Sequence, residues 1–130
     1  MSLDYYGRTE LMLATVARDV EKVSELIKSG ADIDAADKNG WTALHFAAQN
    51  QDLEIANWLL SAGAAVDPRD VYGNTPLSKA VFNFSDDGRL IELLLSHGAD
   101  RHQQNNYGVS PYSLSQSIAN YDSKPFLKET

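Results

Sequence analysis

The sequence predicts an all-α fold, a solenoid of stacked helix-turn-helix units with short β-turn or hairpin fingers. Three observations predict it. First, two glycine series interlock. Gly7, Gly40, Gly73 and Gly108 are spaced by 33, 33 and 35 residues, and Gly30, Gly63 and Gly98 by 33 and 35. Self-similarity at such a period is the signature of a repeat architecture. Second, the residues between glycines fall into two apolar runs per unit at helical spacing. Third, both ends of the chain place polar residues where the inner units are apolar, as the terminal units of a solenoid require.

The chain has 130 residues, room for one domain spanning 1–130 and too few for two. The repeats are expected at about 4–36, 37–69 and 70–104, with a partial C-terminal cap at 105–130. Hydrophobic residues at 43% and charged residues at 22% describe a folding chain, not a disordered one.

In the first unit, Thr9-Glu10-Leu11-Met12-Leu13-Ala14 opens the first helix. Lys22 and Glu25 stand where the next unit has Ile55 and Trp58, so this unit reads as an N-terminal cap. In the second unit, Thr42 follows a Gly turn and caps a helix start. Leu44, Ala47 and Ala48 mark that helix, and the small alanines permit close helix approach. Asn50-Gln51-Asp52 is a polar break, after which Leu53, Ile55, Ala56, Leu59 and Leu60 mark a second helix ended by Gly63. Asp67-Pro68 and Tyr72-Gly73 are turn signals in the link that follows. Trp58, among apolar residues, is expected to pack between repeats.

The third unit repeats the plan with Thr75 as cap and Pro76 in the first turn, where a missing N–H is tolerated. Gly73 to Gly98 spans 25 residues against 23 in the two earlier units, so two residues are inserted, placed between the helices in Asn83–Gly88. Such insertions map to loops and often to a binding face, so Phe82 and Phe84 are expected contact residues. The last stretch carries one helix at about Pro111–Ala119, then a tail with Tyr121, Phe126 and Leu127, the last two folded back as a cap.

Thr42-Ala43-Leu44-His45-Phe46-Ala47 and Thr75-Pro76-Leu77-Ser78-Lys79-Ala80 resemble the Thr-Pro-Leu-His-x-Ala core of ankyrin repeats. Gly30-Ala31-Asp32 and Gly98-Ala99-Asp100 resemble the close of those repeats. The resemblance spans about residues 4–120. It implies a non-enzymatic protein–protein interaction module that binds through the concave side, made by turn tips and first helices. It also implies a structural, hydrogen-bonding role for His45.

Equivalent tip positions differ between units, and aromatics are prominent among them. The expected partner-binding residues are Tyr5, Tyr6, Arg8, Lys38, Asn39, Trp41, Val71, Tyr72, Asn74, Phe82, Phe84 and Tyr107. Exposed Tyr and Trp are favoured binding hot spots. Some of these rings can equally pack on neighbouring tips.

Catalysis, cofactor and metal find no support in the residues. There is no cysteine. His97 and His102 make a poor ligand pair. Asp32–Gly40 resembles a calcium loop, but its sixth place is Asp37 and its twelfth Ala43, where Gly and Glu are needed. The net charge of −7 disfavours nucleic acid. No apolar run is long enough for a membrane, and no signal peptide opens the chain, so a cytoplasmic monomer is expected. The acidity keeps an alternative open, an immunity protein or inhibitor of a cognate basic toxin or enzyme.

Overall fold

The computed structural model describes residues 5–84, 87–117 and 123–127. Among them are eight helices and no strands. They are α1 (Glu10–Val16), α2 (Val20–Lys28), α3 (Ala43–Gln49), α4 (Leu53–Ser61), α5 (Pro76–Phe82), α6 (Arg89–Ser96), α7 (Pro111–Ser117) and α8 (Lys124–Leu127). First helices α1, α3, α5 and α7 stack as one layer, and α2, α4, α6 and α8 as a second. The expected Ala119 and Tyr121 lie outside the described residues.

Each first helix starts on the same chemistry. The hydroxyls of Thr9, Thr42 and Thr75 accept the backbone N–H three residues on, from Met12, His45 and Ser78. Asp19 and Asp52 do the same for α2 and α4. The core runs through both layers, with Leu11, Val23, Leu44, Ile55, Leu59, Leu77, Ile91 and Leu94 all buried. On the N-terminal unit, Lys22 and Glu25 are exposed, as a cap requires.

Two devices stitch unit to unit. The second, third and fourth fingers are β-turns, each braced by one side chain. Asp37 Oδ1 accepts the N–H groups of Asn39 and Trp41, Asp70 Oδ1 those of Tyr72 and Asn74, and Asn105 Oδ1 those of Tyr107 and Val109. Consecutive fingers then share one backbone hydrogen bond each: Lys38 N to Tyr6 O, Val71 N to Asn39 O, and Asn106 N to Tyr72 O. At the opposite end, Asp34 accepts from Ala65 N and Asp67 from Asp100 N, the same bond one repeat apart. Gly40 shows why the finger needs glycine: its φ is +78°, and a Cβ would sit 2.9 Å from Asp70 Cα.

Two expectations are corrected. Phe84 is not an exposed loop residue; it is 2% exposed, its ring 5.7 Å from that of Phe126. It stands 33 positions after Gln51, and that register faces the next unit. There Gln51 donates to Ala80 O of α5, whereas Phe84 meets the terminal cap. Trp58 is not sealed between repeats but remains 38% exposed on α4. The fold-back of the tail is as expected. Leu127 is fully buried, and Gly88 leaves the space that the Phe126 ring fills.

Candidate partner-binding face

The fingers and first helices form one face with two adjoining depressions. The first, of about 390 Å³, is lined by Tyr6, Arg8, Asn39, Trp41 and Tyr72 of the fingers, with Phe46 and Gln49 of α3. The second, of about 300 Å³, is lined by Asn74 and Asn105 of the fingers and by Lys79, Phe82 and Leu114 of the helices, again with Gln49. Gln49 lines both, so the two adjoin there and together reach across units one to four.

Seven of the twelve expected residues line these depressions: Tyr6, Arg8, Asn39, Trp41, Tyr72, Asn74 and Phe82. Tyr5, Lys38, Val71 and Tyr107 stand outside these two depressions, exposed at the finger tips. Phe84 lies in the core instead. Several tip rings pack on neighbours while staying accessible. Tyr72 stacks on Tyr107 with centroids 6.5 Å apart, Tyr5 meets Tyr6 edge-on at 5.2 Å, and Lys38 Nζ lies 5.0 Å over the Tyr5 ring. Phe82 is 63% exposed and Tyr72 54%, a large apolar area for the surface of a folded chain.

Trp41 is the most constrained of these rings. It packs on Phe46 at 4.8 Å, and Lys79 Nζ sits 4.3 Å from its ring centroid. The same ammonium is 3.3 Å from the buried carboxylate of Asp70. A charge at the root of finger three thereby holds a cation of α5, which holds the ring of finger two.

His45 lies beneath this face as a structural element. Its Nδ1 accepts from Thr42 N at 3.1 Å, so the proton is on Nε2, which donates to Asn74 O at 2.9 Å. Burial holds its pKa below the ordinary value, against the pull of the Asn74 bond.

The family profile of ankyrin repeats (3 copies) matches residues 11–105. The chain belongs to the ankyrin-repeat family. No curated protein matches it. Ankyrin repeats are generally protein–protein interaction modules, and the family is typically non-enzymatic.

Among the lining residues outside the expected set are Phe46, Gln49, Lys79 and Leu114 of the first helices and Asn105 of the fourth finger. The signal for them is the repeat register. Leu13, Phe46 and Lys79 are 33 apart, and Leu114 follows 35 later. The same side of each first helix is thus apolar except at Lys79. Among the described residues, no group of three His, Asp or Glu side chains could hold a metal ion, and no helix is long and apolar enough to cross a membrane. A further depression of about 810 Å³ lies between α4 and α6, floored by Leu53 and Leu93. The two arginines on its rim are paired, Arg18 with Asp52 and Arg89 with Asp87.

Proposed function

We propose that this chain is a non-enzymatic binding module that holds a partner protein along the finger and first-helix face. One observation carries the proposal: the two depressions reaching from Tyr6 to Leu114 adjoin at Gln49 and are flanked by exposed Tyr72, Phe82 and Tyr107. Aromatic side chains around a preformed depression offer contact area at low entropic cost. The inhibitor reading gains less support, because it needs acidic groups facing a basic target. The charged groups at this face include Arg8, Lys38 and Lys79; its acid, Asp37, is buried and bonded to its own finger, whereas Glu21, Glu25, Glu54 and Glu92 are exposed on second helices.

The test is site-specific photocrosslinking in the native cell. A photoreactive residue at Phe82 should capture one protein that the same residue at Trp58 does not. Tyr72→Ala with Tyr107→Ala should abolish capture without altering the helical spectrum. Equal capture from Trp58 would move the site to the second-helix side.

A further inference from the structure

The second depression is not simply apolar. Three hydrogen-bond donors converge on it among walls made by Phe82, Val109 and Leu114. Lys79 Nζ is the first; its partners among the described residues are the Asp70 carboxylate at 3.3 Å and the Trp41 ring. Asp70 stands behind that ammonium with its side chain fully buried, and its Oδ1 is occupied by two backbone N–H groups. The second donor is the side-chain amide nitrogen of Asn74. Asn74 Oδ1 accepts from Asn105 Nδ2 at 2.9 Å, which turns the nitrogen away from that bond and leaves it without an acceptor among the described residues. The third is the exposed amide of Gln49, which makes no side-chain hydrogen bond among the described residues. A donor-rich pocket with one cation and no acid of its own lining it has the chemistry of a carboxylate site.

We infer that the partner enters as an extended segment placing an acidic side chain against Lys79, Asn74 and Gln49, flanked by apolar residues on Phe82 and Trp41. This rests on the binding-face reading above and adds the partner's chemistry to it. The volume of about 300 Å³ suits one side chain, not a folded domain. The flanking aromatic walls supply apolar contact, and the carboxylate fixes register, as a few polar groups do in a mostly apolar site. The −7 net charge does not oppose this, because exposed carboxylates on the second helices are screened over about 8 Å at physiological salt.

The probe is a phage-displayed library of linear peptides selected on the whole chain. Selected peptides are remade with glutamate or glutamine at the acidic position and measured by fluorescence anisotropy. The glutamate form should bind about tenfold tighter, since a charge-assisted hydrogen bond is at stake. Lys79→Arg should keep that preference. Lys79→Met alone would strand the buried Asp70, so the neutralising variant is Asp70→Asn with Lys79→Met, which should reduce the preference to under about twofold. Its fold is checked by urea melting. Equal binding of both peptide forms, with Phe82→Ala still weakening them, would overturn the carboxylate site and leave the binding face standing. No enriched peptide at all would overturn the extended acidic segment alone, and peptides indifferent to Phe82→Ala and Tyr72→Ala would overturn both.

Discussion

His45 Nε2 donates to the carbonyl of Asn74, 2.9 Å away in the next repeat. Its Nδ1 accepts from Thr42 in its own repeat. One neutral imidazole thereby closes a helix start and locks two fingers together. The third unit has Ser78 in that place and cannot do this. At that place it is joined to the fourth unit by Asn105 Nδ2 donating to Asn74 Oδ1, beside the backbone bond from Asn106 N to Tyr72 O. Asn74 is therefore bonded on both sides, by its main chain backwards and by its side chain forwards.

The first prediction follows from that imidazole. Its pKa is lowered in the folded chain, chiefly by burial. The unfolded chain therefore binds the extra proton more readily. Full stability is present above about pH 6.5 and is lost as pH falls from there through the lowered folded value. Asp67, whose carboxyl is pushed up by burial, acts with the opposite sign, favouring the fold at low pH and less so as pH rises. The His45 share is thus the difference between wild type and His45→Gln in urea melts from pH 7.5 to 5. That difference should shrink towards low pH. A difference independent of pH would mean His45 is not held neutral. His45→Ala should cost about 3 kcal/mol at pH 7.5, by leaving Thr42 N–H and Asn74 C=O without this partner and opening a cavity.

The second prediction concerns the buried ring that sequence reasoning placed on the surface. Phe84→Ala should lower stability by about 3 kcal/mol, the usual cost of removing a core aromatic. Partner affinity of the folded fraction should stay unchanged, because Phe84 lines neither depression. Phe82→Ala should do the reverse: stability within about 0.5 kcal/mol of wild type and weakened binding. Two phenylalanines two residues apart would then separate core from site.

That pair shows what the sequence made legible. The period and the caps at Thr42 and Thr75 follow from local chemistry that each repeat states again, and the fold-back of Phe126 and Leu127 from two apolar residues in an otherwise polar tail. The fate of Phe84 depended on where the two-residue insertion falls. Register alone puts Phe84 opposite Gln51, at a turn facing the next unit; the acidic residues after it suggested an exposed loop. Lys79 escaped notice for a related reason. A single lysine is ordinary on a helix surface, and only its position over Trp41 and beside Asp70, set by packing between units, makes it distinctive.

The third prediction tests backbone strain at a recurring place. Arg18 and Gln51, 33 residues apart, are the non-glycine residues with positive φ among those described, at 56° and 55°. Left-handed backbone costs an L-residue roughly 1 kcal/mol. Gln51→Gly and Gln51→Ala both delete the amide bond to Ala80 O. Only the glycine relieves the strain. Gln51→Gly should therefore be about 1 kcal/mol more stable than Gln51→Ala in urea melts. Equal stability would mean the turn relaxes once the side chain is removed.

The last prediction concerns the cap. Gly88 precedes α6, and a Cβ there would fall within the Phe126 ring. Gly88→Ala must therefore displace Phe126, and with it α8, whose Leu127 is fully buried. Overpacking of this kind costs about 1–3 kcal/mol. Repeat arrays couple mainly between neighbours, so the loss should be local. Hydrogen exchange should quicken in α6, α7 and α8 while α1 and α3 keep wild-type protection. Uniform acceleration across all units would show instead that the array unfolds as one cooperative block and that the cap holds its far end as firmly as its near one.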